Sequence, residues 1–210
     1  MTGSALKTPA WRIAGVAVTL AATTLAVGLT WNASRPDQPA APASSAPAPA
    51  ASVLLNGTDD AFIQLLLPMD EGVLALIDHL DTRPSATDPA LRAILGDIRT
   101  AHRAEASELR RLLAAGNVPE QNIHEGHQMP GMVTDDRLTE LRAAPDAEVP
   151  SRAVGLLRAH LEQTVVLCRG EQNAGGSPEV RALAGRIQTT RAAELSALAG
   201  RPGSTGDGDH

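Results

Sequence analysis

The feature that most constrains the fold of this chain is a twelve-residue helical pattern that occurs twice, about ninety residues apart. The copies are Ile98–Leu109 and Ile187–Leu198, and Ile, Thr, Ala, Glu, Ser and Leu recur at the same places in both. Steps of four and three place one set of residues on a single helix face. That face consists of Leu91, Leu95, Ile98, His102, Glu105, Leu109 and Leu112. The pattern predicts a helical protein with two similar halves.

Ionisable side chains interrupt this apolar face in both copies. His102 and Glu105 lie on it in the first copy, and Glu194 takes the place of Glu105 in the second. A buried carboxylate destabilises a core unless it is paired with a cation or bound to a metal. The pattern therefore predicts a polar site inside a helical bundle, with one carboxylate from each half.

The first of four predicted helices begins at Asp59 as N-cap and ends near Leu80. Pro68 lies inside it and removes one backbone hydrogen bond, which predicts a kink beside Asp70 and Glu71.

The other three helices are expected from Asp88 to just before Gly116, over 151–169, and from Ser177 to Gly200. The first and third helices also match when they are shifted by 91 residues. Two helical hairpins related by duplication predict an all-α antiparallel four-helix bundle.

An uncharged run from Ile13 to Trp31 precedes the predicted bundle. Its 19 residues reach roughly 28 Å as a helix, close to the thickness of a bilayer's hydrocarbon core. Lys7 and Arg12 precede the run, which favours a cytoplasmic N-terminus (1–12) and one membrane-spanning helix (13–33). The alternative is a signal peptide that is cleaved after Ala33. Both interpretations place the rest of the chain outside the cytoplasm.

The remaining segments differ sharply in composition. Residues 34–53 are rich in Pro and Ala and predict an extended linker, the bundle is expected over 54–200, and a disordered tail over 201–210. After Arg35 the chain has 15 basic and 24 acidic residues, a net charge of −9. This charge argues against nucleic acid or an anionic membrane surface as a partner. The single cysteine, Cys168, is expected to be a buried thiol.

Two histidines and two methionines lie close together between the second and third predicted helices: His124, His127, Met129 and Met132. Thioethers are soft donors that select Cu(I), and imidazole binds either state of copper. The four side chains are therefore candidate copper ligands. In the alternative interpretation, the two methionines plug the open end of the bundle and the histidines are solvated.

A second candidate metal site lies inside the predicted bundle. Its residues are Asp70, Glu71, His102, Glu105, His160 and Glu194. Carboxylates and imidazoles suit a divalent metal, which needs three or four converging ligands. In the alternative interpretation, Arg191 neutralises the carboxylates and the group is a structural network without a metal.

No arrangement of residues in the sequence indicates catalysis. A Gly-x-Ser-x-Gly motif and a phosphate-binding glycine loop are both missing from the sequence. A di-iron bundle uses Glu-x-x-His, whereas this chain has His102 and Glu105 in the reverse order. We therefore expect a binding or structural protein and not an enzyme.

Residues 56 to 200 resemble a secreted bacterial family known as domain of unknown function 305. The stretch His127–Met132, His-Gln-Met-Pro-Gly-Met, matches the loop motif of the family in full. Other matching positions in the family's helical motifs are Asp59, Phe62, Pro68, Gly72, Glu105, His160 and Glu194. The resemblance implies a ferritin-like four-helix bundle and, through members linked to periplasmic copper binding and copper tolerance, a role with copper.

This chain also departs from the family pattern. Met69 and Asp70 replace the first His-His pair, Leu161 replaces one histidine of the second pair, and His102 and Arg191 replace two glutamines. Two functions therefore remain open. One is an envelope-anchored, extracytoplasmic metal-binding module, with copper as the implied ion. The other is a metal-free bundle that serves structure or binds an unknown protein partner.

Overall fold

The computed structural model describes residues 52–122, 126 and 129–203. These residues form five helices and no strand: α1 (Gly57–Asp81), α2 (Pro89–Ala115), α3 (Asp135–Ala143), α4 (Val149–Ala174) and α5 (Pro178–Ala197). A short 3-10 turn, Pro84–Ala86, precedes α2. The all-α prediction is confirmed for this part of the chain. None of its helices is both long and apolar enough to cross a bilayer, and the predicted anchor at 13–33 lies outside the described residues.

Side-chain caps fix where the long helices begin. Asp88 caps α2 and Ser177 caps α5, each accepting a hydrogen bond from the first turn, as the sequence predicts. The predicted N-cap of α1 is wrong, because Asn56 and not Asp59 occupies that position. The Asn56 side chain accepts from the amide of Asp59, and the Asp59 carboxylate accepts from the amide of Asn56. This reciprocal pair is a capping box.

One helix was not predicted, and another is longer than expected. The short helix α3 is capped by Thr134, and its two leucines, Leu138 and Leu141, are buried. A spacing of three between only two apolar residues is too short a pattern to indicate a helix. Helix α4 begins at Val149 and ends at Ala174, so it extends beyond both predicted ends.

The four long helices pack as an antiparallel bundle. Helix α1 contacts α2 and α4, and α5 contacts α4 and α2. The Asn56 side chain, at the start of α1, donates to the carbonyl of Ala174 at the end of α4. The amide of Val53 donates to the carbonyl of Ala115 at the end of α2. The ends of α2 and α4 therefore lie beside the start of α1, and every pair of neighbouring helices is antiparallel.

The core of the bundle has two apolar clusters, one toward each end. The cluster toward the start of α1 includes Phe62, Leu66 and Ile187, and the cluster toward its end includes Leu76, Leu80 and Leu157. Buried polar residues at mid-height separate the two clusters: Asp70, His102, Glu105, His160, Arg191 and Glu194. We call these six residues the polar layer.

The connection from α2 to α4 runs along the side of the bundle, from the end where α1 begins toward the polar layer. Near its beginning, the Gln64 side chain donates to the carbonyl of Pro119. Further on, Val133 packs against Gly72 of α1. Gly131 has a φ of +74° and packs so tightly on α4 that a Cβ there would lie 2.5 Å from Gln163. The segment 129–133 therefore closes the groove between α1 and α4 at the height of the polar layer.

This course of the chain corrects one interpretation of the loop. Met129 and Met132 are half-buried on the side of the bundle, so they do not plug its open end. The tail also differs from its prediction at its first residues. Arg201 forms an ion pair with Asp88 at 2.8 Å and is held on the bundle. Residues 204–210 lie outside the described residues.

Candidate metal centre

All four long helices contribute to the polar layer. Helix α1 supplies Asp70, and α4 supplies His160. Helix α2 supplies His102 and Glu105, and α5 supplies Arg191 and Glu194 three residues apart in the same way. The prediction that His102 and Glu105 face the core is confirmed, because they are 0% and 8% exposed. The apolar periodicity of each helix thus determines which ionisable side chains meet inside the bundle.

The two histidines face each other through their Nε2 atoms, which are 3.0 Å apart. His102 Nδ1 lies 2.9 Å from the carbonyl oxygen of Ile98. Since a carbonyl oxygen only accepts, Nδ1 carries the hydrogen and Nε2 of the neutral ring carries a lone pair. The Thr164 hydroxyl lies 3.5 Å from His160 Nε2. One imidazole with a fixed lone pair therefore points at a second imidazole.

Both histidines are neutral at physiological pH. Burial lowers the pKa of His102 well below its usual value, and the charge of Arg191 and the neighbouring His160 lower it further. Burial also lowers the pKa of His160 to about 3, with a smaller contribution from Arg191 and an opposing one from the backbone of Gly131. A neutral imidazole is the form that binds metals, so both rings are in the state that a ligand requires.

Asp70 completes a group of three metal-binding side chains. Its Oδ1 atom is 3.6 Å from Nε2 of His102 and 3.6 Å from Nε2 of His160. All three ligand atoms lie within 4.8 Å of one another, and all three residues are buried. One ion at about 2.0–2.2 Å from nitrogen and oxygen donors can bridge such separations. Two imidazoles and a carboxylate are a donor set for Zn²⁺, Cu²⁺ or Fe²⁺.

Arg191 lies next to this group and binds all three carboxylates of the polar layer. Its guanidinium donates to Asp70 at 3.2 Å, to Glu105 at 2.5 Å and to Glu194 at 3.1 Å. Burial alone would lower the pKa of Arg191, but the three carboxylates outweigh it and raise the pKa. Arg191 therefore stays charged although it is 0% exposed. The structural network that the sequence offered as an alternative is present.

The polar layer nevertheless has more acids than Arg191 can neutralise. Three ionised carboxylates and one guanidinium leave an excess of two negative charges. Burial raises the pKa of Asp70, Glu105 and Glu194 to about 7 each, and Arg191 opposes that shift in every case. Within the part of the chain that the structure describes, Asp70 Oδ2 and Glu194 Oε1 are buried without a hydrogen-bond donor. Protons or one divalent cation would restore the balance, so the donor atoms and the charge both fit a metal ion.

Several predicted ligands lie elsewhere. The prediction that Glu71 belongs to the interior is wrong, because Glu71 is exposed on α1 and pairs with Arg110. It neighbours Asp70 in sequence, and adjacent helical residues point in different directions. His124 and His127 lie outside the described residues. Met129 and Met132 are joined by a turn, with the Met132 amide donating to the Met129 carbonyl at 3.1 Å.

Two further features of the interior concern reactivity. Cys168 is buried as expected, and burial raises the pKa of its thiol to about 12, so it is not a reactive thiolate. A buried pair of acids, Asp59 and Glu171, was missed by sequence reasoning. The signal was available, since Thr164, Cys168 and Glu171 continue the inward face of α4 in steps of four and three.

Comparisons with known proteins support the family resemblance. The family profile described as domain of unknown function (DUF305) matches residues 59–200. A DUF305 fragment from Deinococcus radiodurans is similar in structure, with a TM-score of 0.61, 20% identity, and coverage of 70% of this chain and 96% of that one. A DUF305 protein from Streptomyces coelicolor that is thought to be secreted is also similar, with a TM-score of 0.59 and 17% identity. The match covers 68% of this chain and 90% of that one. No curated protein matches the chain.

Proposed function

The chain belongs to the DUF305 family, and we propose that its bundle binds one transition-metal ion through Asp70, His102 and His160. The observation that carries this proposal is the pair of neutral imidazoles with their Nε2 atoms 3.0 Å apart, each 3.6 Å from the Asp70 carboxylate. In this arrangement His160 Nε2–H donates to the lone pair of His102 Nε2, and an ion that displaces this one proton would be shared by both nitrogens. When all three carboxylates of the polar layer are ionised, they exceed the charge of Arg191 by two, which is the electrostatic reason for a divalent ion.

Copper is the ion that we propose first. Imidazole and carboxylate donors suit Cu(II), and the thioethers of Met129 and Met132 suit Cu(I). The segment 129–133 covers the groove between α1 and α4 at the height of the polar layer, so both soft donors belong to the segment that lies over the interior site. Copper is the ion whose two oxidation states match both donor sets of this chain.

We further propose that the domain works outside the cytoplasm, with residues 13–33 as its membrane anchor. The uncharged run, the basic residues before it and the Pro/Ala-rich linker support this topology. The Streptomyces coelicolor relative, thought to be secreted, is consistent with it. A binding role is proposed in place of catalysis, because the ligand atoms are closed off from solvent and leave little room for a substrate.

A metal-free structural bundle is the second candidate, and Arg191 is the observation that favours it. The guanidinium binds all three carboxylates and lies 3.2 Å from the same Asp70 oxygen that faces the histidines. A fixed positive charge at this place repels an incoming cation. In this account the polar layer fixes the register of the four helices and carries two protons in place of a metal.

Metal analysis of the purified full-length chain distinguishes the two candidates. The chain is loaded separately with Cu(II), Zn(II) and, without oxygen, Cu(I), and then freed of loose metal by gel filtration. The site variant is His102→Gln with His160→Gln, since two glutamines can still hydrogen-bond to each other. The loop variant is Met129→Leu with Met132→Leu, and His79→Gln is a control for a histidine outside the polar layer.

We expect about one Cu(II) per chain in the wild type, the loop variant and the His79 control, and none in the double glutamine variant. Circular dichroism verifies that each protein is helical. A folded wild type that retains no metal would leave the metal-free bundle as the better account. Binding that is lost only in the loop variant would move the site to the loop.

A further inference from the structure

Two buried carboxyl groups meet at the end of the bundle where α1 begins. Asp59 belongs to the first turn of α1, and Glu171 belongs to the last turn of α4. They are 0% and 1% exposed, respectively. This acid pair is separate from the polar layer, and the apolar cluster with Phe62 and Ile187 lies between them. Neither the metal proposal nor the helix caps account for Glu171.

Asp59 is the hydrogen-bond acceptor of the pair. Its carboxylate accepts from the amides of Asn56 at 2.6 Å, Ser177 at 3.0 Å and Gly176 at 3.2 Å. It thereby ties the turn between α4 and α5 to the start of α1. Burial would raise its pKa, but hydrogen bonds from these amides and from Glu171 together lower it. Asp59 is therefore the ionised member.

Glu171 is buried without a donor to either of its oxygens, Oε1 and Oε2, among the described residues. Two ionised carboxylates cannot hydrogen-bond to each other, because both only accept. A protonated Glu171 has one O–H group, which it can donate to Asp59. The backbone at Gly175 covers this carboxyl so closely that a Cβ there would lie 1.9 Å from Oε1. Protonation is thus the state that satisfies the buried group.

The surrounding charges agree with this assignment. Burial is the main cause that raises the pKa of Glu171 to about 8, and Asp59 raises it further. Arg181 of α5 opposes the shift but contributes least. On α4 itself, the thiol of Cys168 stays protonated, since its pKa is raised to about 12. Among the described residues, Arg181 is thus the cation that acts on Glu171, and its effect is too small to offset burial and Asp59.

We propose that Asp59 and Glu171 form a proton-binding latch, in which one shared proton holds the α4–α5 turn against the start of α1. When the proton leaves in mildly alkaline solution, two negative charges face each other in a buried place. The amides of Gly176 and Ser177 then loosen from Asp59, because the turn moves away to let water reach Glu171. The latch gives this end of the bundle a stability that depends on pH.

Linkage gives the sign of the effect. The pKa of Glu171 is about 8 in the folded chain and 4.5 without the fold, so the folded state binds the extra proton between these values. The stabilisation is complete below pH 4.5 and is lost as the pH rises toward 8. Between these pH values, the unfolding constant is expected to rise by up to about tenfold for each pH unit.

Denaturant unfolding of the full-length chain between pH 5 and pH 8 tests the latch. The variant is Glu171→Gln, which imitates the protonated acid at every pH. The control is Glu162→Gln, since Glu162 is exposed on the same helix. The ratio of the unfolding constants of wild type and Glu171→Gln is expected to rise by more than about tenfold over this range. A smaller rise, or an equal rise for the control, overturns the latch.

A second measurement applies even if the variant does not fold. The ¹³C resonance of the Glu171 carboxyl in the wild type reports its protonation directly. A midpoint above pH 6 supports the latch. A midpoint at or below pH 6 overturns it, since Glu171 would then be ionised beside Asp59 at neutral pH. Both outcomes are independent of metal binding, because the polar layer contains neither residue.

Discussion

The polar layer and the acid pair solve the same problem, the burial of carboxylates, in different ways. In the polar layer, Arg191 binds three carboxylates, which exceed its charge by two when all three are ionised. In the acid pair, backbone amides bind Asp59, and a proton on Glu171 removes the second charge. A proton is enough for one surplus charge. A surplus of two, next to two neutral imidazoles, creates the conditions for a divalent metal.

The two clusters also differ in what positions them. The polar layer takes one or two side chains from each of the four long helices at mid-height, so rigid helix packing holds it. The acid pair joins helix ends to a turn and depends on backbone amides. Loss of a side chain from the polar layer should therefore affect the whole bundle, whereas loss from the acid pair should affect one end of it.

Arg191→Leu is expected to give the largest effect. It removes the one cation that the structure places among three buried carboxylates, and an uncompensated buried charge destabilises a fold by about 3–5 kcal/mol. Denaturant unfolding of the metal-free chain at pH 7 measures the loss. Arg186→Leu is the control, because Arg186 is exposed on the same helix, and it should change stability by no more than about 0.5 kcal/mol. Equal losses in the two variants would contradict the view that Arg191 neutralises the layer.

Asp59→Ala is expected to have the next largest effect. It leaves the amides of Asn56, Gly176 and Ser177 without their acceptor, which predicts a loss of about 2 kcal/mol. The comparison is Asp60→Ala, since Asp60 lies in the same turn and accepts a single bond from Gln64. Hydrogen exchange should report the loosening at the start of α1 and at the α4–α5 turn. A uniform increase in hydrogen exchange along the chain would mean that the acid pair does not stabilise this end of the bundle locally.

Glu105→Gln should change stability least, by within about 1 kcal/mol at pH 7, because it removes a surplus carboxylate and keeps an acceptor for Arg191. Its pH dependence carries more information. Burial raises the pKa of Glu105 to about 7 from 4.5, so the wild type loses stability as the pH rises between these values. The free energy of unfolding of the variant, relative to that of the wild type, should therefore increase from pH 5 to pH 8. The control is Glu108→Gln, since Glu108 is a half-buried glutamate of the same helix that pairs with Arg111 outside the polar layer. It should show no such increase, and an increase in both variants would argue against an acidic excess in the layer.

Much of the fold was readable in the sequence. The spacing of apolar residues and the caps at Asp88 and Ser177 predicted two of the long helices within a few residues. The repeated pattern placed His102, Glu105 and Glu194 inside the bundle, where they are. Periodicity works here because the bundle buries one face of each helix, and that face is a property of local sequence.

Contacts between residues of different helices could not be predicted from the pattern of each helix alone. The sequence placed Asp70, His102 and His160 in one candidate interior site with three other residues. It did not show that these three form the group with metal-binding geometry, since that requires the order in which helices pack. Glu71 was assigned to the interior together with Asp70, but its side chain points outward and pairs with Arg110. The acid pair depends on a turn 117 to 118 residues away from Asp59. The predicted duplication and the kink at Pro68 stay predictions.

Pulsed electron paramagnetic resonance of the Cu(II)-loaded full-length chain tests the central claim most directly. The signal detects the remote nitrogen of each imidazole bound to copper, and the proposed site predicts two imidazoles, from His102 and His160. The His102 ring should bind through Nε2, because its Nδ1 is held by the Ile98 carbonyl at 2.9 Å. Both couplings should disappear in the double glutamine variant and persist in His79→Gln. Copper that shows no imidazole coupling, or couplings that survive the double substitution, would contradict a metal centre in the polar layer.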